Sequence, residues 1–404
     1  MAPHASPLPA AARLPSLTGL RFVAAFAVFA SHTYLALWFD GTWENNTPAM
    51  VALITARSGV GFFFILSGFV LAWSARAEDT AVSFWRRRAV KIYPTHVVTW
   101  LAALVLIHQA GGQVRGGQAV PNLLLVQAWV PVEDVYDSIN GVSWSLSCEA
   151  FFYLCFPLLF HLVRRIPRAR LWSWAAGTLA TVVLLPLLAT TAFASEPHFF
   201  DFPVSLHQYW FVYAFPLTRL LEFVLGMVLA RALLESARAA VRFRHAVPAL
   251  AVGYPLAVQV PFLYAITAVL VLPMSLLVLA GAGADIRGSR SWVRSRPMVW
   301  LGNVSFALYM VHMLVLENVY RLIDEDHTAS TPVRAGSTVL LFALSLLAAW
   351  AVHTLVERPL TRRWGAARLP EPDAAPPEEQ GGRGDGRAPL SRAGEARSGP
   401  PDGM

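Results

Sequence analysis

Runs of about 20 predominantly apolar residues, the length an α-helix needs to cross the hydrocarbon core of a bilayer, recur along almost the whole chain. They place spans at residues 17–38, 58–75, 92–109, 143–163, 172–194, 211–231, 246–261, 263–283, 298–319 and 335–356. The expected fold is therefore all-α: a polytopic transmembrane helix bundle of about ten spans. The seventh and eighth share one apolar stretch split by Tyr254, Pro255 and Pro261, which allows two crossings or one crossing plus a re-entrant segment. Composition agrees, since a soluble domain that is 56% hydrophobic and 14% charged would expose large adhesive patches.

Basic residues set the direction. With the N-terminus cytoplasmic, the four interior loops carry 17 Lys and Arg, among them Arg76, Arg86, Arg87, Arg88, Lys91 and Arg238. The five exterior loops carry four: Arg57, Arg115, Arg321 and Arg334. This asymmetry is the positive-inside pattern, and it places both termini in the cytoplasm. It also accounts for the net charge of +7 without a nucleic-acid partner, because the basic residues sit in short loops rather than on one face. Trp38, Trp73, Trp129, Trp144, Trp172, Trp210 and Trp300 fall near span ends, where interfacial anchors are expected.

Outside the bundle, residues 1–16 lack the layered pattern of a cleaved signal, so the first run is expected to be a retained helix. The domain is expected over 17–359, followed by a Pro-, Gly-, Ala-, Arg- and Glu-rich disordered cytoplasmic tail over 360–404. The exterior loop 110–141 is long enough to hold a short helix over a site. Cys148 and Cys155, seven apart on one helix, are about 10 Å apart, too far for a disulfide. They read as apolar filler, and no metal-ligand spacing appears.

Charged groups inside a bilayer cost at least a few kcal/mol each, so they are functional candidates by default; the bland alternative is an ion pair that locks helices together. Arg21 and His32 lie eleven residues apart on the first span, hence on one face and about 16 Å apart in depth. Glu149 lies near the exterior end of the fourth span. Arg219 and Glu222, at i and i+3, can pair within their own helix. Tyr309 and His312 occupy the ninth span. Arg87, Arg88 and Lys91 read either as a topology signal or as forked donors for phosphate.

Six segments together resemble the acyltransferase 3 family of membrane acyltransferases. They are Arg, ten residues, His at Arg21 and His32; F-x-L-S-G-F at Phe64 to Phe69; and Arg-Arg-x-x-Lys-x-x-Pro from Arg87 to Pro94. The others are W-S-L-S-x-E at Trp144 to Glu149, R-x-x-E-F-x-x-G at Arg219 to Gly226, and L-G-x-x-S-x-x-L-Y-x-x-H ending at His312. The likeness spans Leu17 to Pro359. Two features depart from the family: Ala150 follows Glu149 where many relatives have a second acid, and no hydrolase-like exterior domain is appended.

The resemblance implies a multi-pass enzyme of the inner membrane, without a permanently bound cofactor, that moves an acyl group from acyl-CoA, by default acetyl-CoA, to a hydroxyl. A macrolide-like sugar or a cell-surface glycan would be the acceptor. Arg21, Arg87, Arg88 and Lys91 would hold the donor, His32 would act as general base with Glu149 beside it, and Arg219, Glu222, Tyr309 and His312 would support them. On physics alone a transporter or an acyl-relay partner for an exterior transferase remains open.

Overall fold

The computed structural model describes residues 13–39, 41–43, 46–75, 79–200, 202–236, 241–323 and 329–364. Most of the expected N-terminal segment and tail lies outside these residues, as do Arg76 and Arg238. The described residues form helices, with one isolated β-bridge between His198 and Ser205.

Eight of the described helical segments are long and apolar enough to cross a membrane. They include α1 (Pro15–Leu37), α2 (Thr47–Ser74) and α3 (Ala81–Gln109). After the short helices α4 (Gly116–Leu123) and α5 (Glu133–Tyr136) come α6 (Trp144–Arg165) and α7 (Leu171–Ala192). A third short helix, α8 (Leu206–Tyr213), leads into α9 (Pro216–Glu235) and α10 (Phe243–Gln259). The next crossing joins α11 (Phe262–Thr267) to α12 (Val271–Ile286), and α13 (Arg296–Ile323) follows it. The last apolar segment runs through α14 (Thr331–Val352), a π-helical turn at His353–Glu357 and α15 (Arg358–Trp364).

Two expected spans fall short of that apolar length. α9 carries Arg219, Glu222, Arg231 and Glu235, and α10 has 17 residues. Val260 and Pro261 separate α10 from α11, so the ambiguous stretch 246–283 forms two helical arms that pack on each other.

Two helices start 11 residues earlier than the apolar runs do, and both shifts matter. Asn46 caps α2 by accepting the Ala49 N–H at 3.0 Å, with Pro48 in the first turn. Arg57 therefore lies inside α2, not in an exterior loop. Thr80 caps α3 in the same way through the Ser83 N–H at 3.2 Å, so Arg86, Arg87, Arg88 and Lys91 are helical rather than loop residues. Arg321 and Arg334, also assigned to loops from the sequence, lie in the last turn of α13 and the first turn of α14. A carboxylate on another helix serves the start of α1: Asp285 accepts from the Ser16 N–H at 2.8 Å and its Oγ at 2.7 Å.

At the centre, α2 packs against α1 and α9. The α2–α9 crossing brings backbone against backbone. A Cβ on Gly68 would lie 1.9 Å from the Phe223 carbonyl oxygen, and one on Gly226 would lie 2.0 Å from that of Ile65. The motif glycines are thus a packing requirement, the small-residue contact that membrane helices use in place of a hydrophobic driving force. Trp73, Trp144 and Trp210, expected as interfacial anchors, are buried among these central helices. Trp172 and Trp300 are exposed, as anchors would be.

Candidate active site

Polar residues from α1, α2, α3, α6 and α13 line a cavity of about 160 Å³. Phe63, Phe64, Leu66, Val70, Leu71 and Ile92 supply much of its apolar wall. Arg21, Arg88 and Lys91 line it along with Glu149, Ser67 and Tyr153, and Ser145 and Tyr309 border it as well. Helical rise places Arg21 about 9 Å from the start of α1 and Tyr309 about 20 Å from the start of α13, so these residues span much of the bundle's depth. An apolar cavity with a few convergent polar groups is the usual form of a small-molecule site.

His32 and His312 meet one helical turn beyond Tyr309. His32 Nδ1 lies 2.9 Å from His312 Nε2, and His312 Nδ1 lies 2.7 Å from the Tyr309 carbonyl oxygen. A carbonyl can only accept, so His312 Nδ1 carries a proton. With both rings neutral, His312 Nε2 then accepts from His32 Nδ1–H. The arrangement leaves the lone pair of His32 on Nε2. His312 is buried, whereas His32 is only half-buried and so partly accessible. A general base needs this combination: one nitrogen held, the other free and reachable.

Tyr309 is fixed in turn. Its hydroxyl lies 2.9 Å from Ser145 Oγ and 3.2 Å from the Val142 carbonyl oxygen. Val142 and Ser145 are held by the far-side loop, where α4 and α5 fold over the start of α6. Asn122 donates to the Ser138 carbonyl at 2.6 Å and to Ser143 Oγ at 3.1 Å. Gln127 also donates to Ser143 Oγ, at 3.2 Å, and Asn140 donates to the Met310 carbonyl at 2.9 Å.

The basic cluster divides. On a helix, Arg88 and Lys91 share a face and Arg87 points about 100° away from Arg88. Arg88 accordingly lines the cavity, beside the rings of Phe84 and Tyr153. Arg87 instead pairs with Asp79 at 2.8 Å and donates to Ser83 Oγ at 2.6 Å, so the structure does not bring it to the cavity. Lys91 reaches the cavity but is engaged by the buried carboxylate of Glu357, which also receives His353 Nδ1 at 3.1 Å. Among the described residues neither Arg21 nor Arg88 has a carboxylate within 4 Å.

Arg219 and Glu222 form an internal pair at 3.0 Å, exposed by only 3% and 2%, with the guanidinium over the rings of Phe64 and Tyr213. They stand behind the cavity wall and do not line it. Glu149 lies in the cavity, but the partner that orients His32 is His312. Cys148 is buried and its Sγ lies 3.3 Å from the Ala214 carbonyl oxygen, the filler role expected of it.

Sequence reasoning passed over three participants. Ser145 sat inside a motif without a role. Glu357 sat at the end of the last span, and the π-helical turn that contains it brings it inward toward Lys91. Arg57 was hidden by its polar neighbours, although Asn46-Thr47-Pro48 is a legible helix start that would have placed it in the membrane.

Comparison with known proteins agrees with the motifs. The profile of the acyltransferase domain, acyltransferase 3, matches residues 14–354. Acyltransferase MdmB of Streptomyces mycarofaciens is 41% identical over 385 residues, covering 91% of this chain and 98% of that protein. Nodulation protein 10 of Rhizobium leguminosarum bv. viciae is 26% identical over 230 residues, 47% of this chain and 59% of that protein. O-acetyltransferase PaAT-1 of Phomopsis amygdali is 27% identical over 152 residues, 32% and 29% of the two chains. No solved structure matches the chain. With most of its length matched, its helices long and apolar enough to span a bilayer, and motif residues such as Arg21, Arg88 and Glu149 lining one cavity, this multi-pass membrane protein belongs to the acyltransferase 3 family and is an O-acyltransferase.

Proposed function

We propose that the enzyme transfers an acetyl group from cytosolic acetyl-CoA to a hydroxyl of a sugar-bearing natural product or a cell-surface glycan, at the cell membrane. One observation carries the reading. Two guanidinium groups that no described carboxylate contacts, Arg21 and Arg88, line a cavity whose Tyr309 wall stands one turn from a histidine with a free ring nitrogen. Guanidinium forks suit the phosphates of CoA, and an apolar passage suits the pantetheine arm. The acetyl choice draws support from the relative named as an O-acetyltransferase.

In this reading Arg21 and Arg88 hold the donor, and Lys91 contributes through its bond to Glu357. The acceptor hydroxyl loses its proton to His32 Nε2 as it attacks the thioester carbonyl, and His312 holds the ring in the reactive tautomer. Tyr309, anchored by Ser145, walls the donor cavity beneath the histidine pair, and Glu149 serves the donor side. Cys148 is enclosed and Cys155 lies apart from the cavity, so neither supplies a nucleophile to form an acyl-enzyme.

The test is to incubate membranes containing the chain with labelled acetyl-CoA and either a glycosylated macrolide or a cell-surface glycan, then identify the labelled product by mass. Labelled ester on a hydroxyl is the expected result. Undiminished CoA release by folded, inserted His32→Ala with the true acceptor would overturn the general-base assignment.

A further inference from the structure

Arg57 of α2 is a cation within electrostatic reach of His32. Gly59 of α2 lies against Val28 of α1, and His32 is one turn beyond Val28, so Arg57 and His32 stand at a similar depth. The guanidinium of Arg57 lies 5.0 Å from the ring centroid of Tyr213 and 5.6 Å from that of Tyr209. Both tyrosines are buried.

No carboxylate among the described residues contacts this cation: none lies within 4 Å of it, and its Nε is buried without a hydrogen-bond partner. Two ring faces and a hydrogen bond donated to the Tyr213 hydroxyl, not an ion pair, therefore hold the side chain in place. Yet Arg57 is only half-buried, as His32 is. A charge kept inside a spanning helix without a contacting carboxylate, with the Asp137 carboxylate acting on it only from a distance, and standing at the depth of the base, is arranged for a negative charge that appears during reaction.

We propose that Arg57 is a catalytic residue that binds the oxyanion of the tetrahedral intermediate. The proposal rests on His32 as general base. As the acceptor oxygen bonds to the thioester carbon, its proton passes to His32 Nε2 and the carbonyl electron pair moves onto oxygen, where Arg57 donates to it. On collapse the C=O bond re-forms, the C–S bond breaks, and the proton on His32 passes to the departing sulfur. CoA leaves as the thiol and the imidazole is neutral again.

The test uses the full chain in lipid nanodiscs with labelled acetyl-CoA, and two acceptors: a glycosylated macrolide and water, the latter read as released acetate. Arg57→Gln should lower kcat about 100-fold or more with either acceptor. The KM for acetyl-CoA should stay within about twofold, and millimolar guanidinium should restore part of the lost rate. Arg57→Lys, which keeps the charge but not the fork, should fall in between; it also serves if the Gln variant does not fold.

Wild-type kcat in both variants overturns the proposal. So does a kcat loss that tracks weakened acetyl-CoA binding and is not rescued. His32→Gln separates the two readings. If it keeps the wild-type rate, the general-base reading fails. If it is inactive while Arg57→Gln is not, only the Arg57 assignment fails.

Discussion

His32 and His312 face each other with ring planes 10° apart and centroids separated by 5.2 Å, joined by one nitrogen-to-nitrogen hydrogen bond. They are 280 residues apart in the chain, and each is the partner that the other's helix lacks. If His312 sets the tautomer of His32, His312→Phe should lower kcat by about 10- to 100-fold, a part of the 10²–10⁴ that a general base provides. The KM for acetyl-CoA should not move. Steady-state kinetics decide it, and a variant with wild-type kcat would leave His32 oriented by something else.

The split of the basic cluster gives a sharper test than removing it whole. Arg88→Ala removes a cavity guanidinium and should raise the acetyl-CoA KM about 10-fold or more, the loss of one charge-assisted contact. Arg87→Ala should leave KM alone and cost at most about 1 kcal/mol of stability, because its bond to Asp79 is partly exposed. Equal KM changes in the two variants would contradict the helical assignment of Ala81–Lys91.

Arg219 and Glu222 should behave as structure. Glu222→Leu alone strands a buried guanidinium and should destabilise the fold by about 3–5 kcal/mol, whereas Arg219→Met with Glu222→Leu should recover most of that loss. Thermal unfolding in detergent measures both. If the double variant is stable but catalytically dead, the pair has a chemical role after all.

Gly226 meets the backbone of α2, which cannot rotate aside. Gly226→Val should therefore cost more than the roughly 1–3 kcal/mol typical of overpacking, with a visible loss of monodisperse protein on extraction. A well-behaved, active variant would mean that the two helices can slide apart.

Asp137, on the far-side loop, has its pKa raised to about 6. Crowding by protein around a carboxylate that still reaches solvent is the main cause; Arg57 opposes it, and Glu317 and Glu133 add to it. A carboxyl with a raised native pKa binds its proton more tightly in the folded state. Its contribution to stability is therefore complete below the unfolded value near 4 and declines as pH rises through about 6. Asp137→Asn should flatten that decline in the thermal midpoint between about pH 4 and 7. Parallel pH curves for the two proteins would count against it.

Much of the fold was open to reading before any coordinates. Apolar run length required membrane helices, because unpaired backbone polar groups cannot be left in hydrocarbon. Of the three residues expected to split the stretch 246–283, Pro261 marks the break between α10 and α11, whereas Tyr254 and Pro255 lie inside α10. The spacing of Arg219 and Glu222 already allowed their internal pair. These are local properties, set within a few residues by helix geometry and solvation.

What local rules could not supply was which helix faces meet. Arg21 and Arg88 are joined to one cavity, Arg87 is excluded from it, and His32 is matched with His312, only because α1, α3 and α13 pack in a particular rotation. The same fold turned Arg57 from a loop charge into a half-buried helical group at the depth of the base, and made three tryptophans core rather than interface. Periodicity tells each helix which residues share a side. The partner that each side finds depends on close approaches such as Gly68 against Phe223, contacts between segments more than 150 residues apart, and these exist only once the bundle has assembled.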